Sequence, residues 1–241
     1  MCGRYTLISA SEKLIRTFKA EFDKELVRSW KPRYNIAPGS GILAILEDRD
    51  RGGRRAEILH WGLVPAWAND PDMGYKLINA RAETLSEKPS FKDAFRYRRC
   101  LIPASGFYEW ERAVSPRQPY YFFPARARPI ALAGIWEHWL HPTGSEILSV
   151  AIITTAANGP VGRIHDRMPV IMGESDWDRW LDVENERATG LRPLLVAPRE
   201  DFLEARRVGT RVNKTDLDEP SLIEEGEADP EPWRQLDLYE E

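Results

Sequence analysis

Pro129–Trp136, with the sequence PIALAGIW, and Ile147–Thr155, with the sequence ILSVAIITT, belong to a series of short apolar runs along the chain. Runs of this length, rich in β-branched residues and bounded by turn residues, predict β-strands. Many short strands and few long helices favour an α+β fold of mainly antiparallel β-structure, with a barrel-like core and peripheral helices. The other predicted strands are Ile42–Leu46, Ala56–Leu63, Met168–Met172 and Pro193–Val196.

The predicted helices lie around these strands. Ser9 and Glu12 have the spacing of a capping box, and apolar residues follow at helical intervals, so a first helix is predicted over residues 10–27. Pro38 and Gly39 predict a turn between this helix and the first of the strands. Shorter helices are predicted over Ser90–Tyr97, Ser175–Leu181 and Arg199–Ala205.

The charge of the chain is divided unevenly along its length. From Asp216 to Glu241 there are 11 acidic residues and one basic residue, a net charge of −10, whereas residues 1–215 carry +6. Residues after about 216 also have few apolar groups, so they are predicted to trail over the surface. With no internal repeat and no long linker, we predict one domain over residues 2–225 and an acidic tail over residues 226–241. A mildly basic body is compatible with a phosphate backbone as partner.

Composition and cysteine count limit the class of protein. Hydrophobic residues make up 42% and charged residues 30% of the 241 residues, as is ordinary for a soluble globular protein. No apolar run approaches the ~18 residues of a membrane span. Two cysteines, Cys2 and Cys100, are too few for a disulfide framework, which favours a reducing cytoplasm. His138 and His141 lie three residues apart, but no arrangement of Cys or carboxylates completes a metal site, so neither a metal nor a cofactor is expected.

Cys2 follows the initiator Met1 directly. If Met1 is removed, Cys2 carries a free α-amine with a pKa near ~8 beside a thiol with a pKa near ~8.5. Such a 1,2-aminothiol condenses with an aldehyde: the amine forms an imine, and the sulfur then closes a thiazolidine ring. An N-terminal Cys is equally a candidate nucleophile for amide hydrolysis, with its own amine as the base. The alternative is that the residue at position 2 is arbitrary and Cys2 is inert.

Three further segments place polar groups among apolar or aromatic residues, as in the wall of a binding groove. Glu109 lies between Tyr108 and Trp110, a setting that raises the pKa of a carboxyl group and suits it to acid/base work. The alternative for Glu109 is a solvated position on the outer face of a strand. His165 can exchange a proton near neutral pH, although a lone His is more often structural. Asn79 is suited to orienting an amine or hydroxyl, and is also a common turn residue.

Taken together, five motifs resemble the SRAP family, whose name stands for SOS response-associated peptidase and whose members are abasic-site processing proteins. The motifs occur in the family's order and approximate spacing over roughly residues 2–225. They are Cys-Gly-Arg-Tyr from Cys2, Tyr-Asn-Ile-Ala-Pro-Gly from Tyr34, Ile-Asn-Ala-Arg-Ala-Glu-Thr from Ile78, Gly-Phe-Tyr-Glu-Trp from Gly106, and Ile-His-Asp-Arg-Met-Pro from Ile164.

The resemblance implies a function. Members of the family bind single-stranded DNA and link covalently to abasic sites through the N-terminal Cys, here Cys2 after loss of Met1. Asn79 is similar to the residue that holds the backbone of that Cys and the attacked sugar. Glu109 resembles the acid/base for imine formation, and His165 the group that handles the proton on the ring oxygen. The positions that resemble DNA contacts, or that line the pocket and stack on bases, are Arg4, Pro38, Trp67, Arg81, Thr154 and Arg167.

The same resemblance implies single-stranded DNA containing abasic sites as the partner, with no membrane and no metal. It also implies lyase activity on the DNA and self-processing peptidase activity that removes Met1. We expect a monomer in the cytoplasm, associated with the nucleoid when DNA is bound.

Two departures from the family stand out. Members often have two adjacent Trp, whereas Pro65–Ala68 has one and is followed by a longer loop over Asn69–Tyr75. A basic residue found in some members after the Glu-Thr pair is matched only by Lys88.

Two other functions remain open. An N-terminal-nucleophile amidohydrolase, such as a glutamine amidotransferase domain, also begins Met-Cys-Gly, but the Asn-Gly-Asp segment of those proteins is absent from this sequence. A passive single-stranded DNA-binding module, in which Cys2 has no chemical part, predicts only reversible complexes that salt dissociates.

Overall fold

The structure is a computed structural model that describes residues 2–111, 117–182, 184 and 188–226. Its helices are short: α1 Ser11–Phe18, α2 Lys24–Ser29, α3 Lys92–Tyr97, α4 Gly159–Gly162 and α5 Trp177–Leu181. The strands are β1 Tyr5–Leu7, β2 Ala20–Glu21, β3 Arg33–Ile36, β4 Gly41–Glu47, β5 Arg54–Trp61, β6 Asn79–Arg81, β7 Arg99–Ala104, β8 Gly106–Trp110, β9 Pro119–Pro124, β10 Ile130–Leu140, β11 Glu146–Ala156, β12 Arg167–Pro169, β13 Ile171–Met172 and β14 Leu203–Arg207. Short stretches of 3₁₀-helix cover Pro71–Lys76, Ala82–Thr84, Glu174–Asp176, Ala188–Leu194, Thr210–Asn213 and Pro220–Ile223.

Five of the strands close into a ring. Antiparallel pairing joins β11 to β10, β10 to β7, β7 to β4 and β4 to β5. A parallel pairing of β5 with β11, with His60 opposite Ser149 and Trp61 opposite Val150, completes the circuit. The predicted fold is therefore confirmed: mainly antiparallel β-structure with a barrel-like core and few helices. Apolar side chains from all five strands form the centre of the main hydrophobic core, among them Ile45, Leu59, Leu101, Leu132 and Ile152.

A second sheet carries the start of the chain. Its strand order is β14-β9-β8-β1-β3, and all neighbours are antiparallel. The strand β1 is interior to this sheet, with Tyr5 opposite Phe107 of β8 on one side and Ile36 of β3 on the other. The N-terminal residues are thus fixed beside β8, the strand that contains Glu109.

Two short strands extend the ring beyond β11. The strand β6 pairs in parallel with β11, with Asn79 opposite Ile152 and Arg81 opposite Thr154. On the other side of β11, β12 pairs antiparallel, with Pro169 opposite Thr154. Three of the sequence segments that are far apart in the chain therefore meet along the C-terminal half of β11.

The single helix predicted over residues 10–27 is wrong, because two helices, α1 and α2, occupy that region. Lys19 adopts the left-handed conformation with φ 49°, which ends α1. The next two residues form β2, which pairs in parallel with β5. The carboxylate of Asp23 then caps α2 by accepting from the N–H of Glu25 at 2.6 Å. The capping box is wrong as well, since α1 begins after Ala10 with no side-chain cap.

Other boundaries differ where long-range pairing decides the structure. The predicted strand Pro193–Val196 is wrong, because this stretch overlaps the 3₁₀-turn Ala188–Leu194. The predicted helix Arg199–Ala205 is wrong too, since β14 forms there by pairing with β9. The run Met168–Met172 divides into β12 and β13, because its halves pair with β11 and β10 respectively. The helices predicted at Ser90–Tyr97 and Ser175–Leu181 are present as α3 and α5.

The segment after Asp216 packs against the body as far as the structure describes it. The carboxylate of Asp218 accepts from the backbone N–H groups of Tyr34 and Asn35, and Leu222 is buried. The prediction that residues beyond 216 trail over the surface is therefore wrong for residues 216–226. Residues 227–241, most of the predicted acidic tail, lie outside the described residues, as does Met1. No helix in the described part of the chain combines the length and apolarity needed to cross a bilayer.

Candidate active site

Cys2 lies in the main hydrophobic core, just before β1, and its side chain is fully buried. The side-chain amide nitrogen of Asn79 donates a hydrogen bond of 2.9 Å to the Cys2 carbonyl oxygen. Burial raises the pKa of the Cys2 thiol well above its ordinary value, and the negative charge of Glu109 raises it further. The thiol is therefore held in its neutral form, and its Sγ donates to the carbonyl oxygen of Arg4 at 4.0 Å.

Two buried polar atoms near Cys2 lack hydrogen bonds within the described part of the chain. They are Oδ1 of Asn79 and the hydroxyl oxygen of Tyr5. The hydroxyl of Tyr5 has its pKa raised by burial, and both Arg33 and Cys2 act on it electrostatically. Buried polar atoms are normally satisfied, so a site that leaves two of them unused is suited to a polar ligand.

Glu109 is 2% exposed and lies in β8 next to Tyr108, which is fully buried. The backbone N–H of Tyr108 donates to the carbonyl oxygen of Arg4 at 2.9 Å, and this contact brings β8 alongside the residues that follow Cys2. The solvated Glu109 considered from the sequence alone is therefore excluded. A buried carboxyl whose charge acts on the Cys2 thiol is suited to proton transfer.

His165 follows α4 and is almost completely buried. The backbone N–H of Arg167 donates to Nδ1 of His165 at 2.9 Å. This N–H is closer to Nδ1 than the Arg167 carbonyl oxygen at 3.2 Å, and since an amide N–H only donates, it favours the neutral tautomer with the proton on Nε2. The carboxylate of Asp166 lies 3.1 Å from the same Nδ1, which gives a protonated ring an acceptor. His165 is thus held in a geometry that serves both of its protonation states.

Arg167 forms a bidentate ion pair with Glu83. Its Nη1 lies 2.6 Å from Oε1 and its Nη2 lies 2.9 Å from Oε2. The Nη2 group also donates to the carbonyl oxygen of Thr154 at 2.7 Å. The hydrogen bond from Arg167 lowers the pKa of the Glu83 carboxyl. Thr154 itself is fully buried, so it contributes to this site by holding Arg167.

The remaining predicted DNA contacts differ in exposure. Arg4 is half-buried: its Nη1 donates to Oδ1 of Asn35 and to the Val212 carbonyl, each at 2.7 Å. Burial lowers the pKa of its guanidinium. Arg81 is exposed on β6, two residues beyond Asn79. Of the predicted cationic residues, Arg81 therefore presents the most accessible charge.

Aromatic side chains stand out on the surface. Trp67 is 55% exposed and Tyr75 is 64% exposed. The ring of Tyr75 packs edge-on against His60, with the ring centres 6.3 Å apart, and lies next to the turn formed by Pro38 and Gly39. Sequence reasoning did not select Tyr75, although it ends the longer Asn69–Tyr75 loop where a second aromatic residue was missing.

A basic residue also lies beside the segment that follows the Glu-Thr pair, where the local sequence offers only Lys88. The guanidinium of Arg192 donates to the hydroxyl of Ser86 and lies 3.8 Å from the Glu87 carboxylate. Arg192 is far from the Glu-Thr motif in the sequence, so only the fold reveals its position there. Within the described residues, no group of three or more His, Cys, Asp or Glu side chains is arranged to hold a metal ion.

Comparisons with known proteins identify relatives along almost the whole chain. The model of the family described as SOS response associated peptidase (SRAP) matches residues 1–215. Abasic site processing protein YoqW of Bacillus subtilis is 41% identical over 227 residues, which cover 93% of this chain and 99% of that protein. Abasic site processing protein HMCES of Xenopus tropicalis is 34% identical over 76% of this chain and 66% of its own length. Abasic site processing protein YedK of Escherichia coli is 30% identical, with 84% of this chain and 90% of that protein covered.

Solved structures share the fold. A protein from Bacteroides thetaiotaomicron superposes with a TM-score of 0.81 at 22% identity, covering 93% of this chain and all of that one. A protein from Bordetella bronchiseptica gives a TM-score of 0.73 at 25% identity, covering 86% of this chain and 99% of its own length.

Proposed function

Because this chain belongs to the SRAP family, we propose that it processes abasic sites in DNA. In this proposal it binds single-stranded DNA and, once Met1 has been removed, bonds covalently to the abasic sugar through Cys2. The observation that carries the proposal is the arrangement around Cys2. The side chain of Asn79 donates a hydrogen bond to the Cys2 carbonyl oxygen, and the buried Glu109 is close enough to act on the Cys2 thiol.

The chemistry requires both the nitrogen and the sulfur of Cys2. An abasic site is mostly a closed sugar in equilibrium with a small fraction of open aldehyde. The α-amine attacks C1′ of the aldehyde, and one water molecule leaves as the imine forms. The sulfur then adds to the same carbon while the thiol proton passes to the nitrogen, which closes a thiazolidine ring. The net change is aldehyde plus aminothiol to thiazolidine plus water. A neutral thiol, which is what the burial of Cys2 provides, brings the proton this last step needs.

Two side chains carry out the proton transfers, and a third holds the reacting groups. In its protonated form, with Asp166 accepting at Nδ1, His165 serves as the acid: its Nε2–H protonates the ring oxygen as the sugar opens, which leaves a neutral imidazole. Glu109 takes the proton released when the amine attacks and returns it to the departing hydroxyl group. Asn79 holds Cys2 in place, and its unused Oδ1 accepts a hydrogen bond from a sugar hydroxyl.

Strand cleavage is a branch of the same chemistry, whereas self-processing is a separate reaction, hydrolysis of the peptide bond between Met1 and Cys2. If the ring does not close, the imine loses a proton from C2′ and expels the 3′ phosphate, which cuts the strand as a lyase does. Ring closure therefore converts a strand-breaking intermediate into a protective adduct. Removal of Met1 by the protein itself uses Cys2 and Glu109. Mass spectrometry of the intact chain, produced in cells without methionine aminopeptidase activity, tests this step: retention of Met1 refutes self-processing.

The proposed DNA surface combines charge with aromatic rings. Arg81 contacts phosphates, while Trp67 and Tyr75 stack on the bases flanking the abasic site. Arg167 borders this surface, with its guanidinium held by Glu83 and the Thr154 carbonyl oxygen. A single strand exposes its bases to such stacking. A missing base also removes the need to extrude one, which lowers a cost of roughly a few kcal/mol. Contacts to phosphates make the binding independent of sequence and sensitive to salt. Three further residues stabilise this surface from its protein side: Arg4, Pro38 and Thr154.

The remaining parts of the proposal concern the chain as a whole. Residues 2–225 act as one SRAP domain, and residues 226–241 add an acidic tail that disfavours contact with DNA at that end. The protein works as a monomer in the cytoplasm, and at the nucleoid when bound to DNA.

One gel tests the central claim. The full chain is mixed with single-stranded DNA that contains an abasic site and separated in SDS. We expect a covalent product with the wild type and with Cys100→Ala, a buried cysteine in β7 that serves as the matched control. Cys2→Ala should give none while still binding the DNA reversibly. A stable adduct formed by Cys2→Ala refutes the assignment.

The two rival functions have different outcomes in the same set of assays. A passive binding module gives only complexes that salt dissociates, with no product in SDS. An N-terminal-nucleophile amidohydrolase releases ammonia from glutamine. Cys2→Ser separates the steps of the proposed reaction, since it loses the thiazolidine but keeps the amine for imine formation and strand cleavage.

A further inference from the structure

Glu83 links two parts of the candidate site, strand β6 and Arg167. It lies in the 3₁₀-turn Ala82–Thr84, directly after the strand that carries Asn79 and Arg81. Its two carboxylate oxygens contact Nη1 and Nη2 of Arg167 at 2.6 and 2.9 Å, a bidentate geometry that fixes orientation as well as distance. Only 12% of the Arg167 side chain is exposed, so this contact is largely shielded from solvent on the arginine side.

The backbone of Arg167 in turn holds His165. Its N–H donates to Nδ1 of His165 at 2.9 Å, and its carbonyl oxygen lies 3.2 Å from the same atom. On the other side, the backbone N–H of His165 donates to the Val161 carbonyl oxygen at 2.9 Å. The imidazole is thus placed between α4 and Arg167, and a shift of Arg167 removes the donor that keeps its proton on Nε2.

We propose that Glu83 is a positioning residue for His165, acting through Arg167. The inference rests on the function proposed above, in which His165 handles the proton on the sugar ring oxygen. The ion pair with Glu83 and the hydrogen bond to the Thr154 carbonyl clamp the Arg167 guanidinium from two sides. The clamp fixes the backbone from residue 165 to residue 167 and so fixes the orientation of the imidazole and the neutral tautomer that the Arg167 N–H favours. Glu83 does not touch the substrate.

Two other roles for Glu83 are distinguishable from this one. As an ordinary surface ion pair, with a carboxylate half exposed, it would add only ~0–1 kcal/mol of stability and leave the site unchanged. As a carboxylate that competes with DNA phosphate for Arg167, it would weaken DNA binding. Its removal would then tighten binding and speed the reaction.

The first measurement needs no DNA. The chain has four histidines, so long-range ¹H–¹⁵N spectra of the full-length protein resolve each imidazole, and loss of one signal set in His165→Gln assigns the ring. Under conditions where the ¹⁵N chemical shifts show a neutral ring, wild-type His165 should show the Nε2–H tautomer. Glu83→Ala should give a mixture of both tautomers, and Glu83→Gln, which keeps the size and one acceptor, a smaller change. Glu87→Ala is the matched control, because Glu87 pairs instead with Arg192. An unchanged tautomer in Glu83→Ala and Glu83→Gln overturns the proposal.

The second measurement is the rate of adduct formation on abasic single-stranded DNA. We expect Glu83→Ala to be slower by on the order of tenfold, since a small displacement of a catalytic group is costly, and Glu87→Ala to react at the wild-type rate. A faster reaction or tighter binding in Glu83→Ala also overturns the proposal, in favour of competition with phosphate. If the tautomer changes but even the wild type forms no adduct, the proposed function fails while the positioning of His165 by Glu83 stands. Should Glu83→Ala fail to fold, Glu83→Gln carries both measurements.

Discussion

The side-chain amide of Asn79 donates to the backbone carbonyl oxygen of Cys2 at 2.9 Å, and this bond joins the two sheets of the protein. Cys2 precedes β1 of the five-stranded sheet, whereas Asn79 begins β6, which is attached to the ring. The position of Cys2 is therefore set by a side chain from the other sheet.

Replacing Asn79 by Ala should affect reaction more than folding. The missing hydrogen bond costs about 1 kcal/mol of unfolding free energy, whereas a displaced Cys2 should slow adduct formation by on the order of a hundredfold. Urea denaturation and the rate of the gel-resolved product measure the two effects. The control is Asn158→Ala, which removes a comparable bond of 2.7 Å to the Pro198 carbonyl oxygen. Equal rates for the two variants would show that Asn79 is merely structural.

Glu109 and His165 should each be needed for the rate of reaction. We expect Glu109→Gln and His165→Gln, which roughly preserve side-chain volume, to slow adduct formation by about 10²-fold, the usual contribution of one acid/base group. Their far-ultraviolet circular dichroism should match that of the wild type. Glu137→Gln is a suitable control, because Glu137 is also buried but pairs with Arg98 at 2.7 Å. Wild-type rates in both site variants would refute the proton-transfer roles.

Arg81 should contribute to affinity through charge alone. Its removal in Arg81→Ala should weaken binding to all single-stranded sequences alike. It should also reduce the slope of log affinity against log salt concentration by about 0.7 for each phosphate that the protein no longer neutralises. Fluorescence anisotropy at several salt concentrations gives both quantities. Arg199→Ala removes another surface arginine, one that pairs with Asp201 at 2.9 Å, and should leave the slope unchanged. An identical slope in Arg81→Ala would exclude Arg81 from the DNA surface.

Stability should fall at alkaline pH through Tyr121. Burial raises its pKa to about 12, against the opposing effect of its hydrogen bond with Thr6. The unfolded chain loses this proton near pH ~10. Between those values only the unfolded state is deprotonated, so the free energy of unfolding decreases as pH rises, by about 3 kcal/mol at most. The contribution is fully present below the unfolded pKa.

Denaturation at pH 9 and pH 11 checks this expectation. The loss of stability between the two should be smaller in Tyr121→Phe than in the wild type, whereas Tyr75→Phe, which alters an exposed tyrosine, should behave like the wild type. The same loss in all three proteins would mean that another group is responsible.

Lys19→Gly should stabilise the protein. Lys19 ends α1 with φ 49°, a conformation that glycine adopts without the steric cost paid by other residues. We expect a gain of about 0.5 kcal/mol, because the greater freedom of glycine in the unfolded chain offsets part of the benefit. Arg16→Gly, inside α1, should instead cost about 1 kcal/mol. Thermal unfolding of both variants and the wild type measures these changes. A melting temperature of Lys19→Gly below that of the wild type contradicts the prediction.

Local patterns in the sequence predicted most strands but not their partners. Ile42–Leu46 and Ile147–Thr155 are recognisable as apolar runs, so β4 and β11 were found with small errors at their ends. The strand β14 carries few apolar residues and exists through its pairing with β9, so the same reasoning assigned a helix. The division of the first helix at Lys19 likewise depends on β2 joining β5, a contact between distant residues.

Sequence patterns are limited in the same way at the candidate site, where they select suitable residue types but not the contacts between them. Motifs selected Cys2, Asn79, Glu109 and His165 because their residue types suit the chemistry, and the structure brings Asn79 against Cys2. Motifs did not select Glu83, since an acidic residue beside arginines looks like ordinary surface until the fold places it against Arg167. Similarly, Arg192 approaches Ser86 from more than a hundred residues away, and no local signal marks that approach.

The closed ring of five strands has a consequence for how such a protein is degraded by proteases. Its last pairing, β5 with β11, leaves none of the five strands at a free edge from which one could detach alone. A protease needs an opened segment, so its access to the ring depends on unfolding of the whole rather than on local fraying. In the proposed adduct, the persistence of the protein on DNA would then be governed by folding stability as well as by the bond at its first residue.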